Sequence, residues 1–434
     1  MRPPVKLIAL GMAVAMLPLM SAPAGAEADL VPCDQRPPTF RPYIRLGDGF
    51  GYEPGIETDS LGTIYVMAHK RSLVAEGSGT NTRTASWLWR SIDGGLTFQD
   101  MAGLSGATNL AYALEGDGAV DARDRFYYVD TWAADNHFSR WSARGATLDM
   151  WRPLVPSFEP VDDRPWVAAH GDGYVYYFGN LGVGSPARDR LFVHRSTDAG
   201  ETFDPEGFSF ANSLWGFLDA DPNSPYVYAF MDETNTDQVV TWVSPDLGQS
   251  WTRHPVASVD PEGAASEVGF PSIAVSPVDG TVYTAWDDVD QIYLGESRDH
   301  GQTWTVHDIT PFPGHFAHPW PTVGPTGDVG LVFDADPEGV GGGNFVYGMI
   351  WRPASGCLSV PADPASACTG PSEIYARLQE ASVPAQEDFI QTEFLLDGRL
   401  AAPYESTEGH IRFTVQETGP NIDGTPSCGI VGTP

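Results

Sequence analysis

Acidic, cationic and aromatic side chains recur in this 434-residue chain immediately before or after short apolar segments. The residues that stand before such segments are Glu53, Asp163, Arg164, Glu267, His318 and Trp320. The residues that stand after them are Arg71, Asp130, Trp132, Asp287 and Arg352. Paired carboxylates can act as acid and base on a glycosidic bond, and aromatic side chains line many ligand sites. These residue types therefore favour carbohydrate chemistry, provided that the fold brings them together.

A short pattern, S-x-D-x-G-x-[TS]-[FW], predicts the turns that position these residues. It occurs at Ser91–Phe98, Ser196–Phe203, Ser244–Trp251 and Ser297–Trp304. We call these segments box turns, because in each one the aspartate can cap the backbone and the glycine supplies a positive φ. A degenerate fifth copy is Trp141–Leu148, with Ala143 at the aspartate position. Positions 93, 143, 198, 246 and 299 are 50, 55, 48 and 53 residues apart, a period typical of four-stranded propeller blades.

A second repeat supplies the inner strands of these blades. Apolar strands begin near residues 54, 110, 165, 217, 271 and 319, and each meets a turn and then an aromatic-rich strand. The sequence thus predicts an all-β, six-bladed β-propeller of four-stranded antiparallel blades. Residues 325–434 fit less well and leave a seventh blade open. Residues 40–45 are expected to add an outer strand to the last blade.

The box turns resemble the Asp-box, the bacterial neuraminidase repeat of the sialidase-like β-propeller family. The resemblance covers the scaffold, roughly residues 50–350, and implies that the boxes lie opposite the active site. That family uses three arginines, an aspartate acid/base and a tyrosine–glutamate pair. Its usual Arg-Ile-Pro motif is missing here, where Arg41-Pro-Tyr43 and Arg45-Leu-Gly47 stand. No catalytic residue is therefore carried across from the family.

Strand direction places the predicted site on the face opposite the box turns, which we call the rim. The candidates for catalysis are Arg164, Glu267, Asp163 and Tyr404. The candidates for binding are Glu53, Arg71, Asp130, Trp132, Asp287, His318, Trp320 and Arg352. Structural roles stay open for several of them: residues 162–164 as a salt-bridged turn, Asp287 as a solvent or calcium ligand, His318 as a strand cap and Trp320 as core.

Three functions fit this pattern. The first is a secreted, sialidase-like glycoside hydrolase that acts on an extracellular glycan or glycoprotein. The second is a non-catalytic propeller that binds glycan or protein, which the missing Arg-Ile-Pro motif favours. The third is a polysaccharide lyase, which would need a histidine and a tyrosine on the rim. Fold analogy cannot choose among them.

The charge balance narrows the choice of partners. The net charge is −33, from 24 Lys and Arg against 57 Asp and Glu. Nucleic acids and anionic membrane surfaces need basic patches, so neither is an expected partner. We expect a monomer without a cofactor, although a structural calcium ion stays open.

The N-terminus and the cysteines indicate export. Arg2 and Lys6 precede an apolar run, Leu7 to Met20, and Ala24-Gly-Ala26 fits a cleavage site. The run is too short for the roughly 20 residues of a membrane span. We therefore expect a signal peptide over 1–26 and a single propeller domain over 27–434, with an irregular insertion at about 353–371. Four cysteines in an exported chain favour disulfides, with Cys33–Cys428 and Cys357–Cys368 as the preferred pairs.

Overall fold

A computed structural model describes sixteen stretches of the chain. They are 38–47, 50–71, 86–101, 115–132, 135–154, 162–181, 190–211, 213, 215–233, 236–259, 271–288, 290–337, 345–352, 372–377, 390–406 and 408–419. Within them, the strands form seven antiparallel sheets. The inner strand of each sheet contacts the inner strand of the next, and the last sheet contacts the first. The fold is therefore a ring of seven propeller blades.

Two short N-terminal strands, β1 (Thr39–Phe40) and β2 (Ile44–Arg45), precede the first blade. Blade I comprises β3 (Phe50–Thr58), β4 (Ile64–Arg71), β5 (Trp87–Ser91) and β6 (Gln99–Asp100). Blade II comprises β7 (Glu115–Val120), β8 (Phe126–Trp132), β9 (Asp135–Trp141), a 3-10 turn (Ala143–Gly145) and β10 (Leu148–Pro153). Blade III comprises β11 (Asp162–His170), β12 (Tyr174–Leu181), β13 (Arg190–Ser196) and β14 (Phe208–Ala211).

The next three blades follow the same order from the inner strand outward. Blade IV comprises β15 (Gly216–Ala220), β16 (Val227–Glu233), β17 (Gln238–Ser244) and β18 (Thr252–Ser258). Blade V comprises β19 (Ser272–Val275), β20 (Val282–Asp288), β21 (Gln291–Ser297) and β22 (Thr305–Asp308). Blade VI comprises β23 (His315–Val323), β24 (Val329–Asp336), β25 (Phe345–Arg352) and β26 (Ser372–Arg377).

Blade VII closes the ring with strands from both ends of the chain. It comprises β27 (Glu393–Phe394), β28 (Leu400–Glu405) and β29 (Ile411–Thr418). Both β1 and β2 pair with the outer edge of β29, as expected for residues 40–45. The backbone N–H of the buried Leu46 continues this seam by donating to the Ile411 carbonyl at 2.9 Å. The ring has seven blades, the count that the sequence leaves open beside six, and blade VII carries no box turn that could mark it in the sequence.

The box turns join the third and fourth strands of blades I, III, IV and V. In blade V the Asp299 carboxylate accepts the Thr303 backbone N–H at 2.8 Å and the Thr303 hydroxyl at 2.6 Å. The Ser297 hydroxyl accepts the Gly301 N–H at 2.8 Å, and Gly301 has a φ of 75°. These bonds repeat in the other three box turns.

The turns between first and second strands lie on the same face as the box turns. In blade IV the Leu247 N–H, inside the box turn, donates to the Pro225 carbonyl in the first-to-second turn at 2.9 Å. The corresponding bond in blade III joins Ala199 to Gly173. The rim, formed by the second-to-third loops and the links between blades, is therefore the opposite face.

Apolar and aromatic side chains fill the space between blades. Tyr65 of blade I stacks on Phe126 of blade II with ring centroids 4.0 Å apart. Trp141, Trp286 and Trp351 are fully buried in the same interior. Packing between faces of successive sheets thus fixes the position of every inner strand around the central channel.

Candidate functional site

Second strands end on the rim with a buried polar residue at a fixed position. It lies five residues after the strand's first residue in blades I, IV, V, VI and VII. These residues are His69, Asp232, Asp287, Asp334 and Glu405, and all five are buried. A polar side chain at the end of an apolar strand is costly to bury without partners, so these positions mark candidate sites.

The most complete arrangement lies between blades V and VI. His318 Nδ1 is 3.4 Å from Asp334 Oδ2, and the backbone N–H of His318 donates to the Asp287 carboxylate. Within the described part of the chain, Oδ1 of Asp287 and Oδ1 of Asp334 are buried and accept no hydrogen bond. Two carboxylates thus converge on one histidine, Asp334 on its ring and Asp287 on its backbone N–H, and each has one buried oxygen that could still accept a hydrogen bond.

The local backbone explains how His318 reaches this position. His318 has a φ of 57° and precedes Pro319, and the register of β23 against β24 shifts between Ala317 and Trp320. A positive φ is unfavourable for a residue with a Cβ, so surrounding contacts must hold it there. Strain of this kind concentrates at functional sites, which supports the choice of this cluster.

Burial sets the protonation of Asp287. It raises the pKa of Asp287 to about 7, against the opposing effect of His318. A carboxyl with such a pKa can hold a proton near neutral pH and donate it to a leaving group.

Blade I contains a related pair with the residue types exchanged. Glu53 in the first strand has a φ of 50° and precedes Pro54, and its Oε2 is 3.2 Å from His69 Nδ1. Here the first strand supplies the acid and the second strand supplies the histidine, the reverse of His318 and Asp334. The Tyr52 ring packs edge-on against His69 with centroids 4.5 Å apart.

Blades II and IV add two further polar groups at the rim. Asp130 Oδ1 is 3.4 Å from His137 Nδ1, and the His137 ring stacks on Trp151, which is 39% exposed. Burial raises the pKa of Asp130. In blade IV the Glu233 carboxylate accepts two bonds from Arg253, at 2.7 and 2.6 Å, which neutralises that arginine.

Three aromatic rings from the inner strands of blades III, IV and VI pack against one another, and we call them the aromatic plug. Phe217 lies 4.6 Å from Trp320 and 5.1 Å from Trp166 between ring centroids. Trp320 is 4% exposed and belongs to this aromatic plug.

Beside the plug, the channel forms a cavity of about 480 Å³. Inner strands of all seven blades line it, together with first-to-second turns that include Ser60, Asp124 and Pro277. Its mouth therefore lies on the box-turn face. Four of its lining carboxylates come from different blades: Glu57, Asp117, Asp219 and Glu393.

The structure places the remaining predicted site residues as follows. Asp163 and Arg164 lie in β11, and Arg71, Trp132 and Arg352 end β4, β8 and β25, but the side chains of all five lie outside what the structure describes. Glu267 lies outside the described residues, as do the segment 1–26, the four cysteines and the segment 353–371. Tyr404 lies in β28, 1% exposed, and burial raises its pKa to about 12 against the opposing effect of Arg412. The catalytic roles assigned to these residues stay predictions.

Sequence reasoning missed Asp334 and the four channel carboxylates. Asp334 shares its position in the second strand with Asp287, so the spacing of polar residues after each strand start could have found it. The channel carboxylates alternate with apolar residues on short inner strands and carry no such signal.

Two general findings complete the description. Among the described residues, no group of three or more His, Cys, Asp and Glu side chains is placed to hold a metal ion. No helix within the described ranges is long and apolar enough to cross a membrane.

Comparisons with known proteins yield structural neighbours only. No protein-family model matches the sequence, and no curated protein matches it significantly. One solved neighbour is a protein of unknown function from Dyadobacter fermentans, at 15% identity and a TM-score of 0.46, covering 91% of this chain and 99% of that one. Another is the intramolecular trans-sialidase from Ruminococcus gnavus, at 12% identity and a TM-score of 0.44, covering 88% and 97%. A third is an alpha-L-arabinanase from Penicillium chrysogenum, at 14% identity and a TM-score of 0.40, covering 70% and 92%.

Proposed function

We propose that this protein is a secreted glycoside hydrolase with a sialidase-like propeller, acting on an extracellular glycan at the rim between blades V and VI. The observation that carries the proposal is the convergence of Asp287 and Asp334 on His318. Export rests on the N-terminal sequence pattern, and the substrate class rests on the residue chemistry of the rim.

Asp287 would act as the general acid. Its pKa of about 7 keeps part of the population protonated at neutral pH, so it can protonate the glycosidic oxygen as the bond breaks. Asp334 would act as the second carboxylate of the pair, and His318 would hold both acids in position. As the glycosidic bond breaks, its electron pair goes to the leaving oxygen, which takes the proton of Asp287. Water supplies the hydroxyl at the sugar carbon and gives its remaining proton to the Asp334 carboxylate.

Incubation with fluorogenic glycosides, including a sialoside, tests this directly. Asp287→Asn should lower kcat/KM by about 10²- to 10⁴-fold, because a general acid contributes on that scale. Wild-type kcat/KM should fall as pH rises through about 7, since the acid form of Asp287 is lost. Asp308→Asn is the matched control, because Asp308 is an exposed aspartate at the end of β22 in the same blade.

Two further outcomes bear on the proposal. Full activity in Asp287→Asn would overturn the assignment of the acid. Loss of hydrolysis in Arg164→Ala and Glu267→Gln, with Asp287→Asn unaffected, would move the site to the residues that the sequence favoured.

A non-catalytic glycan-binding propeller is the second candidate. The observation that favours it is the low exposure of the two carboxylates, 7% for Asp287 and 4% for Asp334, which leaves them little surface to offer a substrate. Glycan-array binding without hydrolysis of any glycoside by the wild type would establish this function instead.

A further inference from the structure

The cavity on the box-turn face has an unbalanced charge. Glu57, Asp117, Asp219 and Glu393 line it from blades I, II, IV and VII, and none of the described lining residues is lysine or arginine. Asp117 is buried and the other three acids are half-buried. Ionised carboxylates gathered in one cavity repel one another and lose part of their hydration, so their charged forms are costly.

Two of these acids take part in hydrogen bonds that join blade VII to other blades. The Asp117 carboxylate accepts the Gln391 side-chain N–H at 3.0 Å and the Val167 backbone N–H at 2.9 Å, which joins blades VII, II and III. Glu393 accepts the Thr322 hydroxyl at 3.1 Å, which joins blades VI and VII.

Gln391 reaches across blade I to make this connection. Its Oε1 accepts the Ile56 N–H at 2.9 Å while its Nε2 bonds Asp117. This reach depends on Gly55, since a Cβ there would lie 2.6 Å from Gln391 Oε1. In blade IV, Asp219 accepts the Val275 N–H of blade V at 2.8 Å. All four acids therefore line one cavity, and three of them, Asp117, Asp219 and Glu393, also accept a hydrogen bond from another blade.

The other titratable groups facing the cavity do not offset this charge. Asp121 is held by Arg125 at 2.7 Å and by the Tyr127 hydroxyl at 2.8 Å. Asp124 accepts the Ser60 N–H at the cavity mouth, and His170 Nδ1 bonds the Asp221 carbonyl at 2.8 Å.

Loss of hydration acts in one direction on all four acids, on the buried Asp117 and on the half-buried Glu57, Asp219 and Glu393. It raises the pKa of Asp117 and of Asp219 to about 7, and the pKa of Glu393 to about 8. Burial, followed by the charges of Glu393, Asp117 and Asp219, raises the pKa of Glu57 well above its usual range.

We propose that the four channel carboxylates form a protonation-dependent latch, which holds neighbouring blades together in acidic solution and loosens the ring as the solution becomes alkaline. In the unfolded chain these acids ionise at their ordinary values, about 4. A group whose pKa is higher in the folded state stabilises it fully below the unfolded value, and this stabilisation is lost as pH rises through the folded value. The latch therefore weakens between about pH 4 and pH 8 and is open above that range.

Thermal unfolding of the full chain from pH 5.5 to 8.5 tests the latch. Wild-type Tm should fall across this range by on the order of 5 °C. In the double variant Glu57→Gln/Glu393→Gln, the decrease in Tm over the same pH range should be at most half that of the wild type, because each amide mimics the protonated acid. The double variant Glu206→Gln/Glu408→Gln removes the same charge from exposed positions and should keep the wild-type slope.

A second measurement works on the wild type alone, should the double variant fail to fold. Hydrogen exchange of the inner-strand peptides containing Val167 and Val275, corrected for intrinsic exchange, should be faster at pH 8.5 than at pH 6. Equal slopes of Tm against pH in the wild type and both variants would overturn the latch. Unchanged corrected exchange between the two pH values would overturn it as well.

Discussion

An aspartate in a box turn and an aspartate beside the channel or the rim have opposite electrostatic surroundings. Hydrogen bonds from the Thr303 hydroxyl and backbone lower the pKa of Asp299 to about 2. Burial raises the pKa of Asp117 and of Asp287 to about 7. The same side chain is thus a permanent anion in one region and an acid poised near neutrality in the other. The difference has two causes: hydrogen-bond donors lower the pKa of the aspartate in the box turn, and burial raises the pKa of the aspartates beside the channel and the rim.

The degenerate turn of blade II shows what a box turn requires. Ala143 offers no carboxylate, but the Ser142 hydroxyl accepts the Thr147 N–H at 3.0 Å and contacts the Thr147 hydroxyl at 2.8 Å. Arg144 keeps the positive φ, 61°, found at the equivalent Leu247 and His300. The turn therefore needs a side-chain hydrogen-bond acceptor and a residue with a positive φ, and it does not need a carboxylate. This supports a structural role for the box aspartates.

The largest loss of unfolding free energy is expected from removing a buried hydrogen-bond acceptor. Asp117→Ala leaves the Val167 N–H and the Gln391 amide without their partner inside the channel, which should cost about 2–4 kcal/mol of unfolding free energy. Urea unfolding at pH 6 measures it. Asp124→Ala, at the more open cavity mouth, should cost clearly less, and equal costs would remove the distinction between buried and exposed acids.

A smaller loss of unfolding free energy is expected from replacing an aspartate of a box turn. Asp246→Ala removes the acceptor of the Ser250 N–H at 2.8 Å and of the Ser250 hydroxyl at 2.7 Å, and should cost about 1–2 kcal/mol. Glycoside hydrolysis and glycan binding should stay at wild-type values. Gln249→Ala in the same turn serves as the control. Lost binding at an unchanged Tm would contradict a structural role for this aspartate.

The smallest change in unfolding free energy is expected from relieving backbone strain in a box turn. Leu247 has a φ of 59°, so Leu247→Gly should raise the unfolding free energy by about 0.5 kcal/mol, as relief of the left-handed strain exceeds the added chain entropy. Gln249→Gly, where φ is not positive, should lower it by a similar amount. The urea midpoints of the two variants should move in opposite directions, and a shift of both in one direction would contradict the backbone argument.

Local sequence patterns predict the box turns and the outer strand that residues 40–45 add to the last blade. The box turns were predicted from S-x-D-x-G spacing, and the hydrogen bonds of Asp299 and Ser297 confirm the turn. The outer strand from residues 40–45 is confirmed by pairing with β29. The seventh blade was harder, because β27 has only two residues and blade VII has no box turn.

The candidate site could be predicted only in part. The positions of Asp287 and His318 at strand ends predict that they belong to the site, and the structure brings them together. Asp334 is not among the predicted site residues: its position in β24 matches that of Asp287 in β20, but its contact with His318, 16 residues earlier, depends on a register shift that the sequence does not show. Trp320 was named for the rim, and the structure places it in the aromatic plug.

The sequence by itself determined the repeating unit: its length, its turns and the alternation that makes each blade. These follow from interactions between residues close together in the chain, which glycine φ values, aspartate caps and apolar periodicity encode directly. Only the tertiary structure decided the number of blades, the pairing of Asp287 and Asp334 around His318, and the gathering of Glu57, Asp117, Asp219 and Glu393 in one channel. Those depend on how seven sheets pack around an axis. Packing sets the burial of each carboxylate, and burial sets its pKa.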